Sequence, residues 1–265
     1  MSNIVISSRN NELVCQATKL HQRKYRYLES KIWIENRHCV KAALQANLSI
    51  EKILIAENYK NDKTISEIII LAESKNIKIA YLTYYCFEKC ATTKNPDGIG
   101  AICQLPSLKS HQNFDETALV LWQLQDPGNI GTLIRSSLAL DCRNIVIVEP
   151  SVDIFCPSSI RASAGTIFQA EIAIISESEA IAWLTKNSER VIGLDPNSSI
   201  YLWELPIISN PIIISGNEPH GFPEKIKQTF HFRKIPMANQ IESLNVTAAT
   251  AIGIYELITK SGRKI

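Results

Sequence analysis

The sequence predicts an α/β protein in two parts, the second built on a mostly parallel sheet. Three observations lead there. Short apolar runs alternate with segments of helical period along nearly the whole chain. The runs of the second half, such as "TALVLWQLQ", "NIVIVEP" and "PIIIS", are apolar at successive positions, as in strands covered on both faces. A polar, unpatterned stretch separates the two parts. The expected organisation is a small α/β domain at 1–105, a linker at 106–116 and a larger α/β domain at 117–265.

The totals agree with this. The chain has 265 residues, 45% hydrophobic and 20% charged, in the range of folded globular proteins. No apolar run approaches the roughly 18 residues of a membrane span. The N-terminus lacks the apolar core of a secretory signal, so a cytoplasmic location is expected. The seven cysteines are odd in number and scattered, which argues against a disulfide framework. Cys86 and Cys90 have no neighbouring Cys or His pair to complete a zinc site, and no metal is expected. The net charge of +2 is uneven: residues 1–110 hold 16 Lys and Arg against 10 Asp and Glu, and the rest 12 against 16. A basic N-terminal part suits a polyanionic partner; an uneven solvated surface gives the same count.

In the first part a helix is expected over 12–27, then a strand at "KIWIE" and a helix over 37–46. A strand at "SIEKILIAE" and a helix at "KTISEIIILAESKN" follow, and strands at "IKIAYLT" and "GIGAICQ" close the unit. The region of the first helix is the most basic. Lys19, His21, Arg23, Lys24, Arg26 and Lys31 are interleaved with Tyr25 and Tyr27. Cations meet phosphate and rings stack on unpaired bases, which makes Arg23, Lys24 and Arg26 candidate RNA contacts. A solvated helix face anchored by its tyrosines has the same pattern.

In the second part, "TALVLWQLQ" is a strand, "NIGTLIRSSLALD" a helix and "NIVIVEP" a strand. "SSIRASAG" reads as a short helix ended by Gly165. The strand "TIFQAEIAII", the helix "SEAIAWLTKNS" and the strand "RVIGLD" come next. "PIIIS", the helix "PEKIKQTF", the strand "HFRKIP" and a last helix within "VTAATAIGIYELI" complete the pattern. Ligands of such sheets bind beyond the carboxyl ends of the strands, which directs attention to the loops that follow them.

Three of those loops carry chemistry. In "LQDPGNIGTLIRSS", Asp126-Pro127-Gly128 makes a turn, Asn129 is the expected helix cap, and Gly131 permits close backbone approach. Arg135 lies six residues beyond Asn129, a little under two helical turns, so the two need not share a face throughout, and both are expected to border one cleft at the helix start. In "IIISGNEPHGFPEKI", Gly216, Asn217, Glu218 and Gly221 form a tight polar loop after a buried strand. Its spacing is neither that of a dinucleotide fingerprint nor that of a phosphate-binding P-loop. In "IPMANQIESLNVTAAT", a strand ends at Ile235-Pro236-Met237, Ser243 is placed to cap the last helix, and Leu244-Asn245-Val246 begins it.

Together these loops resemble the three motifs of the SpoU (TrmH-type) RNA 2′-O-ribose methyltransferases of the SPOUT superfamily. The matching residues are Asn129, Gly131 and Arg135; Gly216, Glu218 and Gly221; then Ile235-Pro236-Met237 with Ser243-Leu244-Asn245-Val246 and Glu256. The first hundred residues are similar to the substrate-binding domain often fused to this family, through "ISSRNNELV", "KLHQRKYRYLESKIWIE" and "VKAAL". Two positions depart from the family's habit: Asn36 follows Glu35 where Gly is frequent, and Asn239 stands where a Gly is common.

The resemblance implies a trefoil knot in the C-terminal domain and S-adenosylmethionine as cofactor. Gly216, Ile235, Met237 and Leu244 would hold the cofactor, by apolar walls and main chain. The reaction implied is methylation of a ribose 2′-hydroxyl, with Arg135 the group assigned to it and Asn129, Glu218, Ser243 and Asn245 positioning Arg135 and the ribose. A guanidinium stays protonated up to a pKa above about 12. Fixing the phosphate and stabilising the developing alkoxide therefore suits Arg135 better than acting as base. A homodimer through the knotted domain is implied as well. The fused basic domain points to rRNA ahead of tRNA. The rival readings are an RNA-binding protein that has lost catalysis, against which the intact motif set stands, and a nucleotide-dependent oxidoreductase, for which the glycine pattern is missing.

Overall fold

The computed structural model describes residues 5–216, 222–238 and 243–261, apart from the side chains of residues 113, 224 and 225. The chain divides into two compact units. One comprises residues up to Ser107 together with Asp153–Phe168; the other comprises Leu108–Val152 and Gln169 onward.

The first unit holds a mixed sheet. Its strands are β1 (Val5–Ile6), β2 (Lys31–Glu35), β3 (Ile50–Ala56), β4 (Lys78–Leu82) and β5 (Ile99–Gln104), in the order β1-β4-β3-β5-β2. β3 runs parallel to β4 and antiparallel to β5. Between them lie α1 (Glu12–Lys19), α2 (Arg23–Glu29), α3 (Arg37–Gln45), α4 (Lys63–Ser74) and α5 (Tyr84–Cys90). Asp62 caps α4 by accepting from the Thr64 and Ile65 amides, and Thr83 caps α5. One core joins Val14 and Ala17 of α1 and Cys86, Phe87 and Cys90 of α5 to Trp33 and Leu54 of the sheet. The helix at 84–90 is not expected from the sequence, because two turns reading YYCFEKC are too short to show a clear apolar period.

The single helix expected over 12–27 is two. The chain turns at 20–22, where Leu20 is fully buried. Arg26 enforces that turn: its Nη1 donates to the Leu20 and His21 carbonyl oxygens at 2.8 and 2.7 Å. Its Nε and Nη2 grip Asp153 Oδ2 at 3.1 and 2.6 Å. With 2% of its surface exposed, Arg26 is a structural cation and is not open to a phosphate, contrary to the expectation for it. Arg23 and Lys24 are exposed, each with its cation near a tyrosine ring, Tyr27 and Tyr25 respectively.

Asp153 begins the segment that carries α7 (Pro157–Ala162). Arg161 of α7 pairs with the buried Glu35 at 3.8 Å. Glu35 also accepts from the Thr92 amide at 2.7 Å and from both the Thr92 and Thr93 hydroxyls at 2.6 and 2.5 Å. After Glu35 the backbone enters the left-handed half of conformational space, with Asn36 at φ 92°. That is where the related domains often place glycine, and Asn36 tolerates it while capping α3 through the His38 amide.

The second unit is built on a sheet that is parallel throughout its described strands. These are β6 (Ala118–Trp122), β7 (Asn144–Val148), β8 (Glu171–Ile175), β9 (Val191–Leu194), β10 (Ile212–Gly216) and β11 (His231–Arg233), in the order β11-β9-β10-β6-β7-β8. β8 is shorter than its sequence suggested, since Thr166–Gln169 forms a tight helical turn. The helices are α6 (Pro127–Ala139), α8 (Glu177–Lys186), α9 (Glu224–Thr229) and α10 (Val246–Lys260). Alternate residues of each strand face opposite layers. Val120, Val146, Ile212 and Ile214 pack with Trp183 and Leu184 of α8 and Ile226 of α9. On the other layer α10 packs against α6, β9 and β10, and the buried hydroxyls of Ser215 and Thr250 bond at 2.7 Å.

Two outcomes are expected. Arg26→Ala leaves Asp153 buried without its cation and should cost about 3–5 kcal/mol in urea denaturation; Arg26→Met with Asp153→Leu should recover most of it. Asn36→Gly should raise stability by about 1 kcal/mol, because relief of backbone strain exceeds the few tenths lost at the cap. Asn36→Ala should lower it.

Candidate active site

Parallel pairing brings the ends of three strands to one edge. Leu194 ends β9, Gly216 ends β10 and Arg233 ends β11, and all three line a cleft of about 580 Å³. That volume lies within the roughly 300–1,000 Å³ typical of small-molecule sites. Its opposite wall is Ser243, Leu244 and Asn245, followed by the first turns of α10, including Val246, Ala249 and Thr250. Ile235 and Met237 line it too.

Six of the expected site residues thus meet in one place: Gly216, Ile235, Met237, Ser243, Leu244 and Asn245. Gly216 must be glycine for a packing reason. A Cβ there would lie 2.6 Å from the Phe222 ring, which itself lines the cleft. Leu194, Phe222, Ile235, Leu244 and Val246 make apolar walls, while the strand ends bring main-chain groups to the same rim. That combination fits a flat, uncharged heterocycle held by backbone hydrogen bonds.

The cap of α10 differs from expectation. Asn245, not Ser243, is the capping residue, and its Oδ1 accepts from the Thr247 amide at 2.8 Å. Ser243 is exposed at the cleft rim. The shift follows from where the helix starts: Val246 is its first residue, so only Asn245 can reach the free amides. The first motif differs likewise. Asp126 caps α6, accepting from the Asn129 amide at 2.7 Å with Pro127 in the first turn. Asn129 is therefore already helical, and its side chain is not used as the cap.

Asn129 and Arg135 do not line the cleft. α6 follows β6, whose Trp122 is in register with Gly216, so the N-terminus of α6 stands at the same edge of the sheet. Arg135 is exposed. Glu218 and Gly221 of the second motif, and Asn239 of the third, lie outside the described residues.

The cleft also holds residues that the sequence reading passed over. Asp195, Pro196 and Asn197 follow β9, Lys227 comes from α9 and Arg233 from β11. Burial pushes the Asp195 carboxyl up, but hydrogen bonds from Lys227 and from the Asn197 amide hold it below the ordinary carboxylate value. The Lys227 ammonium is 2.5 Å from Asp195 Oδ2, and the Asn197 amide donates to Oδ1 at 2.9 Å. Arg233 keeps Nη1 on the Phe232 carbonyl at 2.8 Å, while its buried Nε has no acceptor among the described residues. The signal for this loop was present in "RVIGLDPNSS", an acid and a turn directly after a parallel strand. Among the described residues, no group of three or more His, Cys, Asp or Glu is placed to hold a metal. No helix there is long and apolar enough to cross a membrane.

Comparison with known proteins agrees with this arrangement. Residues 116–255 match the SpoU rRNA methylase family, and residues 11–101 match the MRM3-like substrate binding domain. An uncharacterised tRNA/rRNA methyltransferase of Synechocystis sp. is 29% identical over 255 residues, covering 95% of this chain and 92% of that protein. The 23S rRNA (guanosine(2553)-2′-O)-methyltransferase RlmP of Bacillus subtilis is 26% identical over 253 residues, covering 95% and 98%. Among solved structures, an RNA 2′-O ribose methyltransferase superposes with a TM-score of 0.85 at 25% identity, covering 97% of this chain and 99% of that one. An AdoMet-bound rRNA methyltransferase from Sinorhizobium meliloti shares the fold with a TM-score of 0.82 at 22% identity, covering 97% of each. With a family match over residues 116–255, more than half its length, the chain belongs to the SpoU rRNA methylase family.

Proposed function

We propose that the protein methylates a ribose 2′-hydroxyl of RNA with S-adenosylmethionine, in rRNA in preference to tRNA. The observation that carries this reading is the convergence of Gly216 from one loop and Ile235, Met237 and Leu244 from another on one cleft with apolar walls and strand-end main chain. Adenine needs that kind of surround. Bound there, S-adenosylmethionine supplies a methyl group on a sulfonium. The preference for rRNA is supported by the family and by the RlmP relative, which is named for 23S rRNA. The first unit, similar to a substrate binding domain, is the part we assign to RNA, with Arg23 and Lys24 as exposed cations.

The chain's own residues divide the remaining tasks. Arg135, a permanent cation, holds the substrate phosphate and stabilises negative charge developing on the 2′-oxygen. Asn129, Glu218, Ser243 and Asn245 position Arg135 and the ribose. The 2′-proton leaves to water or to the neighbouring phosphate. In keeping with the family likeness, the C-terminal segment passes through a loop to form a trefoil knot.

A homodimer is part of the same reading. α10 buries Thr250, Gly253, Ile254 and Leu257 within its own unit. It leaves Ala248, Ile252 and Tyr255 exposed at helical spacing, an apolar stripe suited to a second copy.

Arg135→Ala should bind S-adenosylmethionine within about twofold of wild type by calorimetry. It should lose methyl transfer by about a hundredfold or more, assayed on rRNA from cells lacking the gene. Near-normal turnover in this variant would refute the role of Arg135, and label entering tRNA instead would refute the rRNA preference. In sedimentation, wild type should run as a dimer and Ile252→Glu as a monomer; a monomeric wild type would remove the dimer from the account.

A further inference from the structure

The connection 195–211 between β9 and β10 is long for a compact α/β unit, and long ordered loops are usually functional. Leu202 and Leu205 are buried and anchor it. Two aromatic rings flank Leu202, the half-buried Tyr201 before it and the exposed Trp203 after it. Tyr201 and Trp203 stack with centroids 4.6 Å apart and planes 6° from parallel. The Lys234 ammonium lies 4.5 Å from the Tyr201 centroid; with Trp203 on one face of that ring, the cation is left the other.

The stack is fixed at the end of β11. Tyr201 and Lys234 form a parallel bridge. The Leu202 amide donates to the Lys234 carbonyl, and the Lys234 amide to that of Ile200, each at 3.0 Å. Lys260 of α10 donates to the Trp203 carbonyl oxygen. Glu204, the acid in this turn, is folded back onto the Tyr201 amide at 2.8 Å. Trp203 keeps 49% of its surface exposed, whereas Trp33, Trp122 and Trp183 keep 0, 1 and 7%. An indole held rigid, flat and half open loses little entropy when something stacks on it.

The position says what would stack. Arg233 and Ile235, on either side of Lys234, line the cleft, so the stack is joined to the strand end that bounds the site, although its own side chains do not line it. One ammonium group, that of Lys234, covers the Tyr201 ring on the side away from Trp203, and a second, that of Lys260, bonds to the Trp203 main chain, in the half of the chain whose overall charge is negative. An open aromatic face with a cation at its own main chain matches a nucleotide, with its base on the ring and its phosphate on the lysine. We propose that the open face of Trp203 receives an unpaired base of the substrate RNA, with Lys260 meeting a flanking phosphate and Lys234 adding positive charge behind Tyr201. This rests on the reading of the protein as an RNA methyltransferase, and adds to it a base-stacking position on the methylase unit itself.

Trp203 is the exposed tryptophan, so intrinsic fluorescence reports on it directly. Single-stranded oligoadenylate should quench the emission saturably, and inorganic polyphosphate, which has charge without bases, should not. Trp203→Ala should abolish the quench and weaken oligoadenylate binding about tenfold. Trp203→Phe should restore most of the affinity, and S-adenosylmethionine binding should be unchanged in both variants. If wild type binds and methylates RNA and Trp203→Ala does so equally well, the stacking site is wrong and the methyltransferase reading stands. If wild type binds neither RNA nor S-adenosylmethionine, that reading falls and the stacking site with it. Emission that changes with protein concentration in the absence of RNA would mean that a second copy covers the indole, and would also overturn the proposal.

Discussion

The parallel pairing of β9, β10 and β11 is the constraint on which the candidate site depends. Because Ile214 is in register with Gly193, and Arg233 with Leu194, three strands end at one edge. Any loop leaving them is delivered to the same place. A parallel sheet needs crossovers on its faces, and α10 is the element that closes over this edge. The Ser215–Thr250 hydroxyl pair ties the last turn of β10 to the second turn of α10, beneath the cleft. Without that register, Gly216, Ile235 and Leu244 would be three unrelated loop residues.

Much of this was legible in the sequence, for physical reasons that differ by region. The strands of the second unit are buried on both faces and show as continuous apolar runs, so β6, β7, β9 and β10 stood out. The motif residues that line the cleft were singled out through a resemblance whose motifs are spelled in the loops themselves. Local chemistry was less legible where two residues compete for one role. Asp126 and Asn129, and likewise Asn245 and Ser243, are all competent caps, and only the position of the first helical residue decides between them. Arg26 was misread because an arginine in a basic, tyrosine-rich stretch looks solvated. Its partner Asp153 lies 127 residues away, a separation that no local pattern reveals. The Asp195–Lys227 pair was missed for the same reason, joining two elements that are adjacent only in the folded sheet.

The two halves of the protein also use arginine and lysine in different ways. In the first unit, Arg26 and Arg161 are held on buried carboxylates, Asp153 and Glu35, so Arg26, one of the 16 cations of residues 1–110, is not offered to a polyanion. The second unit, acidic in sum, keeps Arg135 exposed and Arg233 at the cleft. Net charge divided by domain therefore indicates less about where phosphate is met than burial does.

The assignment of Asp153–Phe168 to the first unit has a consequence for how the chain matures. On a ribosome, everything up to Ser107 emerges long before Asp153. Yet Arg26 has no carboxylate to grip, and Glu35 no Arg161, until the middle of the second unit has been made. The N-terminal unit thus cannot be finished in the order of synthesis. It waits with a cation held only by the Leu20 and His21 carbonyls and an acid held only by Thr92 and Thr93, and the segment that completes it arrives between two strands of a sheet that is itself still incomplete.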